Sequence, residues 1–169
     1  MSSEKRVLEF IDAVHQSDID ADVRLYGSGL LKKQVNERIA SFGLEDRVQV
    51  MGPVSHEAAL AALRDADALV QTSIGFETQG LTPFEAAVLG TPTVFCDPVI
   101  ADDIAESPGW RVSSDSVEAL ASTLSEAVRE LRGAPSAARV EPSQTAAFLQ
   151  SAQTSTLVGL YADLVNSKG

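Results

Sequence analysis

The sequence predicts an α/β fold, a doubly wound parallel sheet built as a single domain over residues 1–169. Short segments of four or five mostly apolar residues alternate with amphipathic segments of helical period, and Gly, Pro, Ser or Asp stands at most junctions. Strands that short and that apolar belong to parallel sheets covered by helices on both faces. With 44% hydrophobic and 22% charged residues over 169 positions, the chain can bury one sizeable core.

Each element follows from local signals. Val7, Leu8, Phe10, Ile11 and Val14 recur at helical spacing within residues 4–16, and the acidic run from Asp18 to Asp22 ends that helix. Val23, Leu25 and Tyr26 form a strand that runs into Gly27-Ser28-Gly29, and a helix from Leu30 to Phe42 stops at Gly43. A second strand covers residues 48–51, with Gly52-Pro53 as its turn and Ser55 as the cap of a helix over 56–65. Residues 68–71 make the next strand. Thr82 then opens a helix over 83–89, Gly90 stops it, and residues 93–96 return to strand. Residues 110–113 read as an edge strand, and Asp115 caps a helix, with Glu118 three positions on, that reaches about Arg132. A surface loop over 133–143 and a last helix over about 145–166 complete the expectation.

Composition narrows the function. The formal charge of -11 is spread evenly along the chain, so no part is basic enough to follow a nucleic-acid backbone. The single cysteine, Cys96, excludes an internal disulfide framework and a Cys-rich zinc site, and fits a reducing cytoplasm. No run of about eighteen apolar residues occurs and the N-terminus has no apolar signal segment, so a chain that is neither secreted nor membrane-spanning is expected.

The stretch from Gly75 to Pro92 is the most informative, because it follows a buried strand and opens a helix, where open α/β sheets hold ligands. The exposed N–H groups of Gly80, Leu81 and Thr82, with the positive end of the helix, favour a phosphate or diphosphate. Glu77 and Glu85 flank that position. Carboxylates beside an anion serve as acceptors, for which sugar or ribose hydroxyls are natural donors, so the pattern favours a nucleotide sugar over a bare phosphate. Thr82-Pro83-Phe84-Glu85 also reads as a Thr-x-x-Glu capping box with Pro at the first helical position, a purely structural device. Glu77 reads equally as a solvated loop acid.

Glu77 and Glu85 form an E-x7-E arrangement, followed by Gly90-Thr91-Pro92-Thr93-Val94. This resembles the signature of the retaining family 4 glycosyltransferases. Val23 to Gly29 is similar to that family's strand ending in G-x-G, and Val48 to Val54 to its strand ending in a Gly turn, so the resemblance spans about Glu4 to Leu131. It implies a GT-B enzyme with two Rossmann-like domains, of which this chain matches the C-terminal, donor-binding one. Set against that family, residues 1–169 are expected to lack the N-terminal acceptor domain and the strand and Arg that usually precede the first helix. By resemblance Glu77 is catalytic and faces the donor hexose, Glu85 accepts from the ribose, and Gly80, Leu81 and Thr82 hold the diphosphate. Gly52, Pro53 and Val54 lie against the base, and Lys5 stands where the family has a phosphate-binding lysine, although Arg6 replaces the glycine expected after it. Gln79 occupies a position that is often aromatic.

The implied donor is a UDP-, GDP- or ADP-linked sugar, the acceptor a saccharide or a lipid-linked saccharide. A cytoplasmic location is expected, with any peripheral membrane contact made through the N-terminal half. No cofactor or metal is expected. Asp18-Ile19-Asp20, Asp20-Ala21-Asp22 and Asp65-Ala66-Asp67 have the Asp-x-Asp form but lie before strands, and His15 and His56 have no partner at ligand spacing. In Gly27-Ser28-Gly29 the third glycine of a dinucleotide loop is replaced by Lys32. A stand-alone Rossmann-like binding or assembly module without turnover is the alternative.

Overall fold

The computed structural model describes residues 1–75, 81–104 and 109–133. Among the described residues five strands alternate with six α-helices: α1 Val7–Ser17, β1 Val23–Tyr26, α2 Lys32–Ser41, β2 Val48–Gly52, α3 His56–Asp65, β3 Leu69–Gln71, α4 Leu81–Leu89, β4 Thr93–Phe95, α5 Pro98–Asp103, β5 Gly109–Arg111 and α6 Val117–Gly133. All pairing among the described residues is parallel. Among the described residues it forms two hydrogen-bonded sheets, β1-β2 and β3-β4-β5, with β5 at an edge.

Strand β4 shows why the sheet is doubly wound. Its three residues are all buried. Val94, with Cys96 beyond the strand, packs into the cluster formed by α1, α2 and α6, while Phe95 points the other way onto Ala87, Ile100, Ala101 and Ile104 of the α4–α5 side. Successive side chains of a strand face opposite sides, so a strand covered on both is apolar throughout. Helix α1 supplies Val7, Phe10, Ile11, Ala13 and Val14 to the first cluster and packs chiefly against α6, which contributes Leu120, Ala121, Leu124 and Ala127. Two glycines permit close approach: a Cβ on Gly109 would strike the Thr93 carbonyl and the Phe95 ring, and one on Gly29 would strike the Met1 backbone.

Several expected boundaries are corrected. The first helix begins at Val7, after a 3-10 turn over Ser3–Lys5, because Arg6 takes a left-handed backbone with φ 46°. Helix α2 covers Lys32–Ser41 rather than Leu30 to Phe42. β2 extends through Gly52, which pairs with Tyr26 after a register shift and has φ 78°. α5 is an additional helix: Asp97 accepts from Val99 N–H at 2.9 Å as its cap, and Pro98 fills the first turn. α6 is capped by Ser116, whose Oγ accepts from Ala119 N–H at 3.1 Å, not by Asp115. The expected helix over 145–166 lies outside the described residues.

Ile11 is 0% exposed at the α1–α6 contact. Ile11→Ala should lower the free energy of unfolding by about 2–5 kcal/mol in urea titrations, since both the transfer term and the cavity oppose folding. A loss below about 1 kcal/mol would show that α1 does not anchor the core.

Candidate functional site

Parallel strands place their carboxyl ends together, and the loops that follow them form the crevice in which open α/β sheets bind ligands. Here those ends lead to Gly27, to Gly52-Pro53-Val54, to the segment from Thr72 to Gly75, and to Cys96-Asp97. Helix α4 begins beyond the third of them. Its first two residues, Leu81 and Thr82, are exposed, Leu81 at 66%, and the buried ring of Pro83 follows in the first turn. An exposed first turn carries N–H groups without helical partners and the positive end of the helix dipole.

The helix starts at Leu81, so Thr82 lies inside it and is not the expected cap. The capping box is corrected accordingly. Proline as third residue is tolerated because the first four N–H groups of a helix lack intrahelical partners in any case. Glu85, with a side chain 31% exposed, instead meets His56: Nε2 lies 3.7 Å from Oε1. His56 is the first residue of α3 and follows Gly52-Pro53-Val54 through the cap Ser55, whose Oγ accepts from Ala58 N–H at 3.2 Å. The contact therefore ties Glu85 to the β2 turn, where Pro53 and Val54 are exposed and Gly52 is buried. The His56 side chain is largely exposed. Its position just past the Gly-Pro turn was the available signal that it borders the site.

Lys5 is exposed, and its carbonyl accepts from Thr72 Oγ1 at 2.5 Å, which joins the segment before α1 to the exit of β3. Arg6, standing where the resemblance has glycine, adopts a glycine-like backbone, and its guanidinium donates to the Asp115 carbonyl and lies 4.0 Å from Glu9. Gly27-Ser28-Gly29 is closed by the N-terminus: the Met1 amino group donates to the Ser28 carbonyl, and Leu31 N–H donates to the Met1 carbonyl at 3.2 Å. Glu77, Gln79 and Gly80 lie outside the described residues.

A buried polar network joins the ends of β3 and β4. Gln71 Oε1 accepts from Cys96 N–H at 3.2 Å and Asp97 N–H at 3.1 Å, while its Nε2 donates to Ser73. Asp97, 4% exposed, accepts from Gly75 N–H at 2.7 Å. The Asp-x-Asp pairs sit at the opposite, amino ends of β1 and β3, and three of their members face arginines: Asp18 Arg47, Asp20 Arg132 and Asp65 Arg64. His15 stacks on Phe42 with centroids 4.1 Å apart.

The model of the group 1 glycosyl transferases matches residues 1–139. The chain belongs to that family. Mannosylfructose-phosphate synthase of Agrobacterium fabrum is 44% identical over 61 residues, which is 36% of this chain and 13% of that protein. Among solved structures, Anabaena Alr3699/HepE in complex with UDP matches 98% of this chain with a TM-score of 0.75 at 21% identity. Sucrose-phosphate synthase of Thermosynechococcus elongatus also matches 98%, with a TM-score of 0.74 at 22% identity. This glycosyl transferase chain spans 46% and 44% of those two structures, and the likeness establishes a Rossmann-like GT-B fold. Among the described residues, no helix is long and apolar enough to cross a membrane.

Burial pushes the Cys96 thiol up from 9.0 to about 11, against a lowering by Arg6. Folding thus favours the neutral thiol, so this group costs no stability below about pH 9, and stability falls as pH rises from about 9 to 11. Cys96 should resist an aromatic disulfide reagent at pH 8 in the folded chain and react within seconds in urea. Rapid labelling of the folded protein would contradict this burial.

Proposed function

We propose that residues 1–169 form the donor-binding, C-terminal-type domain of a retaining GT-B hexosyltransferase of family 4, and that its substrate is a nucleoside diphosphate sugar. The observation that carries the reading is the approach of His56 to Glu85, which brings the turn after β2 and the exposed start of α4 to one mouth at the carboxyl ends of the strands. Family membership and the UDP bound in Anabaena Alr3699/HepE support it.

In this reading the base rests on Gly52, Pro53 and Val54, and Glu85 accepts from the ribose hydroxyls. Leu81 and Thr82, with Gly80, donate backbone N–H groups to the diphosphate. Glu77 faces the hexose as the catalytic carboxylate, and Lys5 approaches the phosphates. The chemical task is to stabilise the leaving nucleoside diphosphate as charge develops on it, and oriented N–H donors in a partly dry site do so without reorganising. No metal is assigned a role. The saccharide or lipid-linked acceptor is aimed from a facing N-terminal GT-B domain, and that orientation supplies up to roughly 7–11 kcal/mol in well-aligned reactions. A binding or assembly module without turnover is the second reading, favoured by the engagement of the Arg6 guanidinium with the Asp115 carbonyl and the Glu9 carboxylate.

Calorimetry should detect weak binding of UDP-glucose or another nucleotide sugar that survives EDTA, and binding abolished by chelation would contradict the metal-free site. Glu85→Gln should weaken that binding about tenfold while leaving the melting temperature nearly unchanged. Its visible partner is a largely exposed histidine, and exposed pairs contribute little. A lower melting temperature with unaltered affinity would assign Glu85 a structural role only. Residues 1–169 alone should transfer no sugar in a radiolabelled-donor assay against saccharide and lipid-linked acceptors, and robust transfer would show that no facing domain is needed.

A further inference from the structure

We propose that Asp97 is the positioning residue of the donor site, setting where the chain leaves β3 and hence where α4 begins. The proposal rests on the donor-site reading and adds to it a residue that does not touch the ligand. Asp97 follows β4, is buried, and uses both carboxylate oxygens on backbone N–H groups: Oδ1 accepts from Val99 at 2.9 Å and Oδ2 from Gly75 at 2.7 Å. The first bond caps α5. The second does nothing for α5, because Gly75 lies 22 residues earlier, past the end of β3.

Asp97 is itself held. Its own N–H donates to Gln71 Oε1 at 3.1 Å, and Gln71 is a buried residue of β3 whose Nε2 donates to Ser73. The carboxylate therefore has a fixed origin, the last residue of β3, and a fixed target on the loop that leaves that strand. Gly75 has φ 71°, a left-handed turn that glycine adopts without strain, so the bond pins the loop where its direction is set. Only five residues separate Gly75 from Leu81. The same carboxylate caps α5, whose Ile100 and Ala101 share a cluster with Ala87 of α4, so Asp97 bears on both the exit of β3 and the seat of α4, whose first-turn N–H groups need to meet the diphosphate at hydrogen-bond distance.

Two variants separate this clamp from the cap. In Asp97→Asn one oxygen still caps α5, as Asn does as well as Asp, while an NH2 group faces the Gly75 N–H. Asp97→Ser keeps a capping hydroxyl and has no second oxygen to reach Gly75. Hydrogen exchange at the Gly75 amide should accelerate at least tenfold in both, and the dissociation constants for UDP and UDP-glucose should rise about tenfold, with Val99 protection retained in at least one. Unchanged exchange at Gly75, or an accelerated exchange with unaltered affinity, would overturn the proposal. Failure of the unsubstituted chain to bind either nucleotide would instead sink the donor-site reading, and the claim about affinity with it.

Discussion

The burial of β4 on both faces is the constraint from which the remaining architecture follows. A strand of three residues contributes few ladder bonds, so its position depends on side chains packed above and below it. Val94 enters the α1–α6 cluster and Phe95 the α4–α5 cluster, which obliges helices to lie on opposite sides of the sheet. Crossover connections between parallel strands then bring every strand out at the same end of its sheet. The crevice beyond those ends is a consequence of that packing and not a separate feature.

Electrostatics at the two ends of the strands differ. At the amino ends the acidic turns are engaged by Arg47, Arg64 and Arg132. At the carboxyl ends the carboxylates of Glu85 and Asp97 meet a histidine and backbone N–H groups instead. In a chain of net charge -11, an anion at the proposed donor site would be attracted by oriented N–H dipoles more than by cationic side chains. Such a site suits a ligand that also offers hydroxyl donors, which is the chemistry of a nucleotide sugar.

Period and punctuation made the five strands and the main helices legible in the sequence, because each is specified by its own neighbours. The errors fall where neighbours compete. Ser113-Ser114-Asp115-Ser116 holds four residues able to cap α6, and the cap is the one whose side chain reaches the Ala119 N–H, which is Ser116. Thr82 resembled a cap because Pro83 is common at the first helical position, yet proline is equally accepted later in the first turn. α5 has six residues, below the length at which helical period can be recognised, although Asp97-Pro98 carried its start signal. The Gln71–Asp97–Gly75 network and the His56–Glu85 contact join residues 22 to 29 positions apart, and no local pattern encodes them. The site residues named from the resemblance could be located only in part, since Glu77 and Gly80 lie outside the described residues.

The central claim is that the carboxyl ends of the strands bind a nucleoside diphosphate sugar. Titration of the isotopically labelled chain with UDP-glucose, followed by amide chemical shifts, addresses it most directly. The account predicts the largest changes at Val54, His56, Gly75, Leu81 and Thr82, with Asp20, Asp22 and Asp67 at the amino ends of the strands unmoved. Saturable shifts confined to the amino ends, or none at all at millimolar nucleotide sugar, would contradict it.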